Sequence, residues 1–236
     1  MKFHSFQKTK TLSIANYLSL SNKELAKKLS ECEYRYISCI NDSFLDDENF
    51  IKCEIGSISY VLALICKYKG VKNEYFNDLD EGYLSGECSV GEEEFEELNE
   101  WLSDAKQIII DSSFFTHKDS KNIMKFLEIL NMNVVVADEN IQQIQTDYEL
   151  SELDELDVYD GAVIYQVKSD KRYIKGGVSF ATVAKVKDGD KIVLEGDGFS
   201  YLGIFKLDVN THSTIAFVGV GKKSGYDFKL VKVSKA

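Results

Sequence analysis

Several groups of side chains in this sequence are of types that can do chemistry. Asp111-Ser112-Ser113 followed by His117 brings an acid, two hydroxyls and an imidazole into one short stretch, the residue types of nucleophilic hydrolysis. A working triad is assembled in space from separated segments. A set this local therefore reads more simply as the cap between a strand and a helix. Gly219-Val220-Gly221-Lys222-Lys223-Ser224-Gly225 is the nearest approach to a phosphate loop. Its spacing misses GxxxxGK[ST] and no helical pattern follows, so it reads as a strand-end turn. Gly56-Ser57-Ile58-Ser59-Tyr60 has Tyr where a nucleophile elbow needs a second Gly. The carboxylates Glu92, Glu93, Glu94, Glu96 and Glu97 lack a partner nucleophile and read as a solvated helix face whose charge favours the helix start.

The metal-ligating residue types are equally scattered. Cys32, Cys39, Cys53, Cys66 and Cys88 all precede residue 90, but no two have the close spacing that lets one loop wrap an ion or cluster. An odd count in a reducing compartment argues against a disulfide framework, so the expectation is small buried thiols. His4, His117 and His212 are too far apart to suggest a site.

The chain has 236 residues, 44% hydrophobic and 28% charged, with a net charge of -11. That composition supports a folded core and argues against nucleic acid or an anionic membrane as a partner. The sequence holds no proline, and Arg35 and Arg172 are its only arginines, which weakens any reading based on bidentate anion clamps. No apolar run is long enough to insert directly into a membrane, and the start lacks the apolar core of a secretory signal, so the expected location is cytoplasmic.

Charge and pattern both divide the sequence. Residues 161–236 carry 13 Lys+Arg against 7 Asp+Glu, whereas residues 1–160 carry 15 against 32. The first part reads as α/β. A capping box at Ser21–Glu24 opens a helix through Leu29, and Tyr34–Ser38 alternates as a strand. Tyr60–Cys66 is a buried helix ending near Gly70, and Glu92–Trp101 is an acidic helix. Ile108–Ile110 and Val134–Val136 are buried strands flanking an amphipathic helix over His117–Leu130. Apolar triplets alternating with helices predict a parallel, helix-covered sheet over residues 1–137. Residues 138–160 hold nine acids and no base, and are expected to form a solvated acidic linker. Residues 161–236 then turn to β, with candidate strands at 163–165, 179–186, 191–195, 201–207, 214–220 and 228–233. The intervening turns are Lys175-Gly176-Gly177, Asp188-Gly189-Asp190, Gly196-Asp197-Gly198 and Lys223-Ser224-Gly225, which together predict a small β-barrel domain.

Four colinear segments resemble a known family. Lys52–Ser57 with Val61–Leu64, Asp80–Glu94, and Ile109–Asp111 with His117, Asn122, Ile123 and Leu127 resemble consecutive parts of the large peripheral-arm G subunit of respiratory complex I, the NADH:quinone oxidoreductase. Phe180–Ile192, Gly203–Leu207 and Thr214–Ala216 resemble the terminal barrel of the molybdopterin-oxidoreductase superfamily to which that subunit's fold belongs. The family's N-terminal cluster-binding cysteine motifs have no counterpart, and the chain is much shorter than the family's subunits.

The resemblance implies a molybdopterin-oxidoreductase-like fold and a non-redox accessory subunit of the peripheral arm, with a structural or electron-donor docking role. It further implies no catalytic residue, no metal and no cofactor bound by this chain. The implied partners are other peripheral-arm subunits and, through the basic barrel, an acidic electron carrier such as a flavodoxin or ferredoxin. The complex would hold the chain at the inner membrane's cytoplasmic side. The alternative is a stand-alone cytosolic binding protein with a ligand or partner site on its barrel. Within Asp80–Glu92, the residues Glu81, Gly82, Tyr83, Leu84, Gly86, Glu87 and Gly91 form the candidate partner contact, since a tyrosine and three glycines among acids are unusual for a plain linker.

Overall fold

The computed structural model describes residues 1–196, 198–209, 211 and 213–236. Asp197 of the expected Gly196–Gly198 turn and His212 therefore lie outside the described residues. The chain forms two units, Met1–Leu156 and Asp157–Ala236.

The first unit is built on five parallel strands, β1 (Thr11–Ser13), β2 (Tyr34–Ser38), β3 (Phe50–Lys52), β4 (Gln107–Ile110) and β5 (Asn133–Val136), in the order β3-β2-β1-β4-β5. The central strand β1 was not among the expected elements, because three residues are too short for an alternation to show. Its backbone is nonetheless paired on both sides, Leu12 lying opposite Arg35 and Ile108. Alternate residues serve opposite faces. Leu12, Ile14, Ile37, Ile51, Ile108, Ile110 and Val134 enter one core, beneath α3 (Ile58–Tyr68), α5 (Glu81–Cys88), α6 (Glu92–Trp101) and α7 (Ser120–Leu130). Tyr34, Tyr36, Ile109 and Val135 enter the other, beneath α2 (Lys23–Ser30). A parallel, helix-covered sheet was the expectation, and the sheet has that form, with helices on both faces.

Helix starts differ from the sequence reading. A short α1 (Leu18–Ser21) occupies the expected cap, so Asn22 and not Ser21 caps α2, accepting from the Leu25 N–H at 3.0 Å. The helix expected from His117 begins at Ser120, because the turn before it is closed by the Asp119 N–H donating to His117 Nδ1 at 3.0 Å. A further short helix, α4 (Glu74–Asn77), joins α3 to α5.

Residues 138–156 belong to the first unit rather than forming a free connector. Ile144, Tyr148, Leu150, Leu153 and Leu156 pack on its core while most of the acids face solvent. The backbone is pinned by named groups. Asn122 accepts from the Ser151 N–H at 3.0 Å, Asp119 accepts from the Asp154 N–H at 3.1 Å, and the Tyr60 hydroxyl donates to the Asp154 carbonyl at 3.0 Å. Counting acids hid the leucine spacing that makes this segment a strap.

The second unit is a closed barrel of β6 (Ala162–Lys168), β7 (Tyr173–Gly176), β8 (Lys191–Gly196), β9 (Phe199–Leu207), β10 (Ile215–Val220) and β11 (Phe228–Lys235), in the cyclic order β10-β6-β11-β8-β9-β7. The pairs β6–β10 and β7–β9 are parallel and the other four are antiparallel. Two expectations are corrected here. Residues 179–186 were expected as a strand for their Val and Thr content, but Val178–Ala184 is a helix, α8. Phe180, Ala181 and Ala184 meet the core at helical spacing, which a strand's alternation could not do. Conversely Lys175-Gly176, expected as a turn, ends strand β7. A Cβ on Gly176 would sit 3.0 Å from the Cβ of Ala216, so this glycine marks a close strand approach. Among the described residues no helix is long and apolar enough to cross a membrane.

Candidate functional site

In a doubly wound parallel sheet, ligands bind outside the carboxyl ends of the strands where the strand order reverses. Here that point lies between β1 and β4, and the loops that leave them are Ile14–Tyr17 and Asp111–Thr116. Nucleotide-binding sheets point loop and helix N–H groups at a phosphate in this crevice. This chain points them at its own carboxylates. Asp111, fully buried, accepts from the Asn16 N–H at 2.7 Å, the Asn16 amide at 3.1 Å and the Ser113 N–H at 3.0 Å, and also from the Ser113 hydroxyl. The Ser38 hydroxyl at the end of β2 donates to the Asn16 carbonyl at 2.5 Å, which ties the third loop in.

The same pattern recurs on either side. Asp42, after β2, accepts from the Ser19 N–H at 2.7 Å and the Ser19 hydroxyl at 2.6 Å. Asp138, after β5, accepts from the Ser112 N–H at 2.8 Å and the Ser112 hydroxyl at 2.6 Å. Three internal carboxylates therefore occupy the positions where a bound anion would collect donors. They also make this edge negative, which repels phosphate.

The local Asp, Ser and His set is assigned by this geometry. Both serine hydroxyls donate to carboxylates. His117 Nδ1 accepts from the Asp119 N–H at 3.0 Å and Nε2 lies 2.8 Å from the Gly56 carbonyl, which fixes the Nε2–H tautomer as a strap between two loops. Asp111 is a cap, as expected, accepting from the Ser113 N–H at the start of the turn after β4, whereas His117 bridges two loops. The Gly219–Gly225 stretch joins β10 to β11, with Lys223 paired to the buried Asp227 at 2.6 Å, again a turn. The five cysteines are free thiols, and Cys53, Cys66 and Cys88 are buried, with burial pushing the first two up to about 12 and Cys88 to about 11.

The expected contact segment is helical over Glu81–Cys88, and residues 89–91 then lead into α6. Asp80 caps α5 by accepting from the Tyr83 N–H at 3.0 Å. Gly82, Tyr83, Gly86 and Glu87 are exposed on α5, Tyr83 at 48%, and Gly91 is the exposed N-cap of α6. Leu84 points the other way. It is 5% exposed and part of the core beneath α3, so it is removed from the contact surface. Glu81 is half-committed to a 3.0 Å pair with Lys67.

Clefts were not foreseen, among them one of about 490 Å³ between Lys67, Gly70, Asn73 and Phe76 and two others. One, of about 240 Å³, lies beside the carboxyl edge of the sheet between Tyr17, Leu20, Lys23 and Phe44, where Leu20 and Phe44 are exposed. The other, of about 430 Å³, lies on the barrel between α8 and the end of β9. Neither has a signal in sequence, since each is lined from separate segments. No family model matches this chain, and no curated protein matches it.

Proposed function

We propose that this chain is a non-redox accessory subunit of the peripheral arm of respiratory complex I, with a structural or electron-donor docking role. The supporting observation is the crevice at the ends of β1 and β4. Asn16, Ser38, Asp111 and Ser113 fill it with a satisfied internal network, and its N–H donors are spent on carboxylates. A sheet of cofactor-binding topology whose own side chains stand where a ligand would bind suits a scaffold. The order of units, parallel sheet then closed barrel with mixed pairings, fits the molybdopterin-oxidoreductase-like fold that the resemblance implies. In this reading the chain binds no cofactor and reaches the membrane through its partner subunits. The test is gentle solubilisation of native membranes followed by size-resolved electrophoresis. Co-migration with a large complex I assembly, with the purified chain colourless, is the expected result. Migration of the whole pool at its own mass, away from membranes, would overturn it.

A second reading, a stand-alone binding protein using its barrel, is favoured by the apolar cleft beside α8. It predicts a monomer with no membrane-associated pool.

A further inference from the structure

The barrel is apolar on a face that solvent should make polar. Val178 on α8 is 58% exposed, and Leu207 at the end of β9 is 39% exposed. Val178 and Leu207 line the 430 Å³ cleft with Ala181 and Val186. Scattered exposed aliphatics are ordinary, but two that share one concavity with Ala181 and Val186 mark an interaction surface.

The rim supplies the sign of the partner. Lys185, whose left-handed backbone at φ 55° closes α8, and Lys187 both border the cleft and are exposed. Among the described residues neither forms an ion pair. The neighbouring acids are already engaged. Asp188 accepts from the Leu207 N–H at 2.9 Å, and Asp190 accepts from the Lys187 N–H at 2.8 Å and pairs with Lys235 at 2.7 Å. Asp188 also lines the cleft and keeps its charge, so two exposed lysines against one carboxylate leave the rim net positive over an aliphatic floor.

We propose that this cleft docks a segment of a partner protein in which acidic residues flank an aliphatic side chain. The aliphatic group would fill the floor between Val178 and Leu207, supplying affinity, and the acids would meet Lys185 and Lys187, supplying orientation and encounter rate. A protein segment fits better than a small molecule. The cleft is open on its outer side, whereas small ligands are mostly enclosed. The inference deepens the docking role proposed above, but its test does not depend on the complex I assignment.

The experiment titrates the ¹⁵N-labelled full chain with a short synthetic peptide alternating Glu and Leu. Control peptides alternate Glu with Ala, and Lys with Leu. Saturable amide shifts confined to residues 178–188 and 207 are expected, with both controls weaker by about tenfold or more. Lys185→Glu with Lys187→Glu should weaken the acidic peptide by about the same factor and strengthen the Lys/Leu peptide. Val178→Asp should abolish the shifts. All three positions are exposed, and an unchanged spectrum elsewhere reports intact folding. Absent shifts, shifts centred on another surface, or equal binding by the double variant would each overturn the proposal. Failure here leaves the electrophoresis result standing, and failure there leaves this one.

Discussion

Replacing Asp111 by Ala should unfasten the carboxyl edge of the sheet. The carboxylate is fully buried and holds two backbone donors, Asn16 N–H at 2.7 Å and Ser113 N–H at 3.0 Å, besides the Asn16 amide. Each buried donor left without an acceptor costs about 1–3 kcal/mol, and hydrogen bonds to a charged group lie at the upper end. The Asn16 amide keeps Ser113 Oγ at 2.8 Å, and removing a buried charge returns part of the loss. The expected net destabilisation is about 3–5 kcal/mol for Asp111→Ala, and about 1–3 kcal/mol for Asp111→Asn, which retains one acceptor oxygen. Urea unfolding read by tryptophan fluorescence isolates the effect, because Trp101 is the only tryptophan and lies in the first unit. With a slope of about 2 kcal/mol/M, the Ala midpoint should fall by about 2 M. A loss below about 1 kcal/mol with unchanged slope would mean that water already reaches these donors. The crevice would then be open to ligand, and the scaffold reading would lose its main support.

Further outcomes follow from individual contacts. Leu84→Ala should cost about 2–5 kcal/mol in the same assay, while Tyr83→Ala loses a ring contact with Tyr60 and should cost about 0.5–1.5 kcal/mol, so of the two Tyr83 is the one usable for probing a partner surface. Gly219→Ala should disrupt the barrel, visible as loss of amide dispersion for residues 162–236, because its Cβ would lie 2.5 Å from both the Lys171 carbonyl and the Tyr173 ring. Hydrogen bonds from Lys125, then Thr146, hold Glu128 below the usual carboxylate range. The stability this gives the strap is therefore present above the ordinary Glu value of about 4.3 and is lost as pH falls through the lower folded value. Amide exchange near Tyr148, corrected for intrinsic rate, should accelerate in acid, and Glu128→Gln should remove that dependence. Cys53, Cys66 and Cys88, pushed up to about 11–12, stabilise the fold below the ordinary thiol value of about 8.5 and progressively less as pH rises above it. A thiol reagent at neutral pH should leave these three unmodified until urea exposes all five cysteines, and rapid native labelling of any of them would contradict the packing.

The sequence by itself determined the two-part division and most of the first unit's elements. Ile108–Ile110 and Val134–Val136 are short apolar runs of the kind that strands buried on both faces carry, and Phe95 and Leu98 repeat at helical spacing. It also read the local Asp, Ser and His set as capping at a strand end, where those residue types serve backbone groups, and Asp111 accepts from the Ser113 N–H in that way. What it could not reach were features whose partners are distant in the chain. β1 is three residues long and exists because β2 and β4 pair with it on both sides. α8 carries strand-forming residues and is helical because the barrel core takes Phe180, Ala181 and Ala184 together. The acidic strap is ordered by contacts with α3 and α7 that lie up to 94 residues away. The network around Asp111 joins Asn16 to a residue 95 positions later. Local pattern records each residue's preference for an element, but a crevice, a strap and a cleft are made by which elements the fold brings side by side.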